Sequence, residues 1–374
     1  MIFKTFQNKK LSALGFGAMR LPQKSEVYTD IDEELTAEMV DYAIKNGVNY
    51  FDTAWGYHDG MSEIVMGKVL SKYPRESFYL ATKFPGYDLS NMPKVKEIFE
   101  QQLEKCGTEY FDFYLFHNVC EMNINEYLDK QYGIFDYLIK QKQNGRIKHL
   151  GFSAHGSYEV MKRFLDAYGK DMEFCQIQLN FIDWEFQDAK EKVELLSKYN
   201  IPVWVMEPLR GGKLAKFPEK YEEKLKALRP DESIPAWAFR FIQSIDSVTV
   251  TLSGMSDFDQ VKANIETFSE DKPLNEEENK AILEIAKEMT NGVPCTACRY
   301  CTSHCPKQLD IPNLISLYNE HNFTGGGFIA PMALMAIEKD KHPDACISCR
   351  SCEAVCPQQI KISEVLADFV EKLK

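Results

Sequence analysis

FYLATKFPGYDLSNMPKVKEIFEQQLEKCGTEYFDFYLFH, residues 78–117, holds one complete strand–helix–strand unit. FYLATK (78–83) and FDFYLFH (111–117) are near-continuous apolar runs, as expected of parallel strands covered on both faces. Between them VKEIFEQQLEKCG is amphipathic at helical spacing and stops at Gly107, a helix-ending residue. The alternation continues in both directions. LGFGAM (14–19) and NYFDTA (49–54) precede the unit; IKHLGFS (147–153), FCQIQLN (174–180), PVWVMEP (202–208) and SVTVTLSG (247–254) follow it. Stretches such as AEMVDYAIKNG lie between them, again ending in glycine. Eight such units predict an α/β fold, a (β/α)8 TIM barrel. A doubly wound open sheet is the alternative, but no Gly-rich phosphate fingerprint accompanies these strands. Residues 1–12 are expected to cap the barrel as a short hairpin or strand.

Past residue 268 the character changes. SEDKPLNEEENK is charged and contains a proline, and AILEIAKEMTNG then reads as a helix. The junction is placed near residue 285, giving a barrel with a trailing linker helix over 1–284 and a small, mainly helical and loop domain over 285–374. With Pro, Gly and Cys punctuation, that second domain needs metal to hold it together.

Eight of the 11 cysteines form two compact sets there. Cys295, Cys298, Cys301 and Cys305 precede Pro306; Cys346, Cys349, Cys352 and Cys356 precede Pro357. Both sets read C-x2-C-x2-C-x3-C-P, and the likeness continues past them (KQLDI against QQIKI), so the segment is an internal duplication. Three thiolates in one tight loop can wrap three irons of a cubane, and the fourth reaches across to the other cluster. One [4Fe–4S] cluster is therefore expected on Cys295, Cys298, Cys301 and Cys356, the other on Cys346, Cys349, Cys352 and Cys305. Structural zinc, the bland alternative, usually brings two separated pairs. The segment resembles bacterial-type two-cluster ferredoxins. Cys106, Cys120 and Cys175 read as small buried apolar residues.

The balance of 44 basic and 56 acidic residues, net −12, argues against nucleic-acid binding. The opening MIFKTFQNKK lacks an apolar signal core, and no apolar run approaches membrane-spanning length. The expectation is a cytoplasmic protein with no membrane contact.

TIM-barrel sites lie at the C-terminal strand ends. There stand Asp52, then Tyr57 (DTAWGY), Lys83 (ATK) and His117 (LFH). Singly, a strand-end lysine is often a salt-bridge partner and a histidine a satisfied core residue. Four such groups at consecutive strand ends point to chemistry.

With LGFGAMR, FDTAWGY, ATK, LFH, GFS and the PLRGG turn, residues 1–270 resemble the aldo-keto reductase family. The resemblance implies reversible hydride transfer between NADP(H) or NAD(H) and a small carbonyl or alcohol substrate. Its tetrad falls on Asp52, Tyr57, Lys83 and His117. Tyr57 is the expected general acid and base, its phenol lowered by the Lys83 ammonium. Asp52 would hold Lys83, and His117 would orient the carbonyl. The resemblance further implies that Ser153 and Gln176 hold the nicotinamide carboxamide and that Met206 packs on its ring. Ala154 stands where the family often has Asn, with His155 beside it. The pyrophosphate would run along Pro208, Leu209, Arg210 and Gly212. Gly254, Gln260 and Asn264 fall at the adenine end. Gln260 replaces an arginine that many members use for the 2′-phosphate, with Lys262 as a substitute, so the choice between NADP and NAD stays open. Trp55 and His58 either line the substrate pocket or pack the loop.

Two functions compete. One is a carbonyl–alcohol oxidoreductase with clusters for electron transfer or structure. The other is an electron-transfer or redox-sensing iron–sulfur protein with the barrel as a nucleotide-binding scaffold. Nicotinamide moves two electrons and a cluster one, so electronic coupling calls for a flavin, of which the sequence has no fingerprint, or a one-electron partner protein.

Overall fold

An antiparallel hairpin, β1 (Phe3–Phe6) and β2 (Lys9–Ser12), precedes eight strands: β3 (Leu14–Gly17), β4 (Tyr50–Asp52), β5 (Tyr79–Phe84), β6 (Phe111–Val119), β7 (Ile147–Ala154), β8 (Cys175–Gln178), β9 (Val203–Met206) and β10 (Val248–Gly254). In this computed structural model the eight close into a parallel barrel, β10 pairing with both β3 and β9. Residues 1–290, 292–295 and 298–374 are described. Asn291, at the end of the stretch expected to be helical, and Thr296 and Ala297, inside the first cysteine motif, lie outside the described residues.

The continuous apolar strands reflect two buried faces. In β6, Phe113 and Leu115 point into the barrel core with Tyr50, Ala81, Phe174, Trp204, Val250 and Leu252. Tyr114 and Phe116 point outward and meet Phe99 and Phe164 edge-on, at 5.2 and 5.3 Å between ring centroids. The helix Val95–Cys106 buries Val95, Ile98, Phe99, Gln102, Leu103 and Cys106, an i, i+3, i+4, i+7 stripe, and ends at Gly107 with φ 58°.

The hairpin closes the N-terminal end of the barrel. Phe6 and Leu11 join the barrel core, and the Phe6 ring stands edge-on to Trp204 at 5.2 Å. Beside it, Glu173 gathers His149 Nδ1 (2.8 Å), Lys142 Nζ (2.6 Å) and Gln7 Nε2 (2.6 Å).

The chain divides into two compact units, Met1–Leu283 and Glu284–Lys374. The expected linker helix is longer than its apolar part: it runs Glu276–Met289 and takes in the acidic stretch. Asn275 and Glu278 cap it reciprocally, Asn275 Oδ1 accepting from Glu278 N–H at 3.0 Å and Glu278 Oε2 from Asn275 N–H at 2.8 Å. Glu276 and Glu277 in the first turn then face the positive end of the helix dipole. The second unit has its own core, in which Leu309, Ile311, Leu314, Ile360, Ile362, Leu366 and Phe369 surround the buried Cys301 and Cys352. Among the described residues no helix is long and apolar enough to cross a membrane.

Candidate active site and cluster sites

Side chains alternate along a strand, so the residue two positions beyond a barrel-core residue also faces inward, one layer higher. Tyr50, Ala81 and Leu115 are core residues; Asp52, Lys83 and His117 are two positions on. Phe174, Trp204 and Leu252 are core residues too; Gln176, Met206 and Gly254 follow by the same step. Every strand-borne residue in these two sets therefore stands at the C-terminal rim.

Lys83 Nζ lies 2.6 Å from Asp52 Oδ1, 2.8 Å from Thr53 O and 3.4 Å from the Tyr57 hydroxyl. Lys83 is fully buried and Asp52 nearly so. Burial pushes the Asp52 carboxyl up and the Lys83 ammonium down, and each charge holds the other against that trend. The His117 ring stands edge-on to Tyr57 at 6.1 Å and to Tyr87 at 5.2 Å. Burial, then the Lys83 charge, holds His117 well below the ordinary histidine range, so its imidazole is neutral at pH 7. Its Nδ1 is buried with no hydrogen-bond partner among the described residues. Tyr127 fixes the backbone there, its hydroxyl donating to His117 O at 2.8 Å.

Tyr57 departs from the expected direction. Burial pushes its phenol well above the ordinary 10.0, and the Asp52 and Glu207 charges add to the rise. The Lys83 ammonium does not reverse this, because it sits closer to Asp52 than to the phenol. Tyr57 reaches the rim from a loop, not a strand. After it the backbone turns through His58 (φ 51°), Asp59 (φ 52°) and Gly60 (φ 92°), three left-handed residues in succession. A Cβ on Gly56 would fall 2.3 Å from the Tyr87 hydroxyl, so a side chain there would displace the tip of Tyr87. His58 packs this loop and is buried, with Nδ1 2.7 Å from Tyr28 O and Nε2 accepting from Leu21 N–H at 3.1 Å. Trp55 lies under the Lys105 ammonium, 3.7 Å from its ring centre.

Behind Lys83 runs a buried network that strand-end reading missed. Gln102 Nε2 donates to Glu63 Oε1 (2.7 Å), Thr82 Oγ1 (3.1 Å) and Lys83 O (3.0 Å), while its Oε1 accepts from the Tyr114 hydroxyl at 2.6 Å. Glu63 Oε2 pairs with Lys105 Nζ at 3.4 Å. The only sequence signal was a glutamine on the apolar stripe of a helix.

Ser153 and Gln176 face each other in the β7–β8 register. Ser153 Oγ accepts from Asn118 N–H at 2.8 Å, and Gln176 Nε2 is 3.5 Å from Met206 Sδ. Gln176 Oε1 is buried without a partner among the described residues, as an acceptor awaiting a ligand N–H would be. Arg210 does not offer its guanidinium to the loop's open side: it is buried against Asp183, Nε at 3.1 Å and Nη2 at 3.0 Å. After Pro208 and Leu209, the turn presents backbone at Gly211 (φ 67°) and Gly212 (φ 91°). Arg20, also missed, lies over this rim. A Cβ on Gly254 would meet its side chain at 3.2 Å, and its Nη2 is 3.7 Å from Glu207 Oε1. Gln260 is engaged locally, its N–H and side-chain amide donating to Asp257 at 2.8 and 2.6 Å in a helix cap. Asn264 turns its amide to Ser253 Oγ at 3.1 Å. Lys262 is exposed, 4.0 Å from Asp259.

In the C-terminal unit the thiols separate into two crossed sets. Cys295, Cys298, Cys301 and Cys356 line one pocket. Cys305, Cys346, Cys349 and Cys352 line another. The thiols ring a space instead of meeting at a point, and among the described residues no three converge as a single-ion site.

The aldo/keto reductase family model matches residues 13–287, and a 4Fe-4S dicluster domain model matches residues 294–361. An uncharacterized oxidoreductase of Bacillus subtilis is 25% identical over 74% of this chain and 94% of its own length. A probable aldo-keto reductase of Glycine max is 27% identical, the match spanning 55% of this chain and 58% of that protein. Among solved structures, an aldo-keto reductase from Bacillus halodurans in its holo form is 26% identical with a TM-score of 0.62, covering 77% of this chain and 97% of that one.

Proposed function

Because the chain belongs to the aldo/keto reductase family, we propose that its barrel interconverts a small carbonyl and an alcohol with a nicotinamide cofactor, NADP(H) or NAD(H). We further infer that its dicluster domain holds two [4Fe–4S] clusters. The observation that carries the first reading is the Lys83 ammonium set between Asp52 at 2.6 Å and the Tyr57 hydroxyl at 3.4 Å, with His117 beside the same phenol.

A bound nicotinamide supplies or accepts the hydride. The chain's own residues handle the proton. Tyr57, held protonated by burial, gives its proton to the carbonyl oxygen as that oxygen gains negative charge. The adjacent ammonium then stabilises the phenolate left behind, and Asp52 keeps that ammonium in place. Neutral His117 has one N–H to donate to the same oxygen. The unpartnered Gln176 Oε1 and the adjacent Ser153 fit a carboxamide. In the second unit, four thiols around each cavity fit a cubane, which brings its own volume, better than one ion.

The test is anaerobic turnover of simple aldehydes and ketones with NADPH and with NADH, in the unaltered protein and in Tyr57→Phe. A loss of roughly 10²-fold or more in kcat with nicotinamide binding retained supports the reading. Unchanged turnover in Tyr57→Phe would overturn it. EPR of the same samples reports whether the clusters take electrons during turnover.

A further inference from the structure

Asp52, Lys83 and His117 are carried by strands, whereas Tyr57 is carried by a loop, so strand register alone does not set its distance from Lys83. The last strand-type bond before it is Thr53 N–H to Ala81 O at 2.9 Å. Beyond that bond the chain turns outside the sheet and resumes regular structure only at the helix Met61–Leu70. That turn has to be held against β5, because a misplacement of about 1 Å at a reacting group can cost about 100-fold in rate.

Glu63 stands in the first turn of that helix and is fully buried. A carboxylate removed from water needs partners on its oxygens. On one side its Oε1 accepts from Thr82 Oγ1 at 2.7 Å and from Gln102 Nε2 at 2.7 Å, and Gln102 also donates to Lys83 O at 3.0 Å. On the other its Oε2 meets Lys105 Nζ at 3.4 Å. Burial pushes the Glu63 carboxyl up, and the Thr82 hydroxyl, the Lys105 charge and Gln102 act against that rise. The Lys105 ammonium in turn lies 3.7 Å from the centre of the Trp55 ring. A Cβ on Gly60 would fall 3.4 Å from the same nitrogen and 3.5 Å from Trp55 O. Trp55 and Gly60 bracket Tyr57 in the chain. One buried carboxylate therefore has an arm on the strand of Lys83 and an arm on the loop of Tyr57. His58 ties the same loop to Tyr28 and Leu21, which belong to another segment, so it does not set the distance to β5.

We propose that Glu63 and Lys105 are positioning residues for the acid–base step. The Glu63 carboxylate holds β5 through Thr82 and Gln102, and the Lys105 ammonium is the strut that seats Trp55 and Gly60 against it. Together they set the Tyr57 phenol against Lys83. Both act through that phenol and not on the substrate.

The inference rests on Tyr57 as the proton donor, and the two fail differently. Unchanged turnover in Tyr57→Phe removes that reading, whatever Lys105 does. Where Tyr57→Phe is impaired, Lys105→Met in the anaerobic full-length protein tests the strut. The kcat of carbonyl reduction should fall by roughly 10-fold to 100-fold, with the nicotinamide Kd unmoved. Lys105→Arg keeps a cation over Trp55 and should recover most of the rate. In a Tyr57→Phe background Lys105→Met should cost nothing further, because its effect passes through the phenol. A pair that served only the fold would instead lower the melting temperature and leave kcat per folded molecule as it was. Glu63→Gln should behave as Lys105→Met does, and it decides the matter if Lys105→Met does not fold. Unchanged kcat in the folded variants, a Lys105→Arg variant as slow as Lys105→Met, or an equal further loss in the Tyr57→Phe background overturns the proposal.

Discussion

Asp52 and Lys83 form an ion pair at 2.6 Å in which both side chains are removed from water, at 3% and 0% exposure. Breaking such a pair from one side strands the other charge, at a cost of about 3–5 kcal/mol. Lys83→Met and Asp52→Asn should each destabilise the barrel by about that much. The double variant should regain most of the stability and none of the turnover. Urea melts beside steady-state assays check this; a double variant as unstable as the sum of the singles would count against a coupled pair.

Carbonyl reduction should have a broad pH plateau. It needs Tyr57 protonated, a form present below its folded pKa and lost as pH rises through it, and burial has moved that pKa upward. Reduction should therefore hold through neutral pH and fall only in the alkaline range. Alcohol oxidation should rise over that same range. A pH profile of kcat in both directions reads this directly, and a reduction rate already falling near neutrality would contradict it.

Gln102 supplies one amide to Glu63, Thr82 and the Lys83 carbonyl while accepting from Tyr114. Gln102→Leu leaves several buried groups unsatisfied, each at about 1–3 kcal/mol. The expected loss is roughly 3 kcal/mol or more, with kcat reduced because the Lys83 backbone is no longer held. Normal stability in this variant would show that water replaces the amide.

Glu173 governs acid stability at the hairpin end. Burial would raise its carboxyl, but hydrogen bonds from His149, Lys142 and Gln7 outweigh that and hold it at about 2 against an ordinary 4.5. A depressed carboxyl contributes stability that is present above 4.5 and lost as pH falls toward 2. Glu173→Gln should flatten the acid limb of the melting temperature in that window. An unchanged limb would place the acid-sensitive group elsewhere.

Removing iron should loosen only the second unit. Its core closes around cysteines, whereas the barrel core contains none of the eight cluster-type cysteines. After chelation, proteolysis should cut within Glu284–Lys374 and leave Met1–Leu283 intact. Equal resistance before and after would mean that the small core holds without metal.

Most of the barrel was legible because a doubly covered strand must be apolar along its length, as FDFYLFH (111–117) is, and must carry its polar group at the open end. His117, Lys83 and Asp52 follow from that rule alone. The cysteine spacing likewise predicted the crossed thiol sets that line the two cavities. Tertiary structure decided what local pattern does not encode. Tyr57 is placed by three left-handed residues and by a glycine that yields to Tyr87. Its phenol is raised because burial outweighs an ammonium engaged by Asp52. Arg210 and Gln260 sit at the expected positions, but their side chains turn to Asp183 and Asp257. Arg20 ends the LGFGAMR stretch in a short turn and Gln102 sits on a helix stripe, and neither stands at a strand end. Strand parity is a local property that a sequence states; the partner a long side chain finds is set only when distant segments close around it.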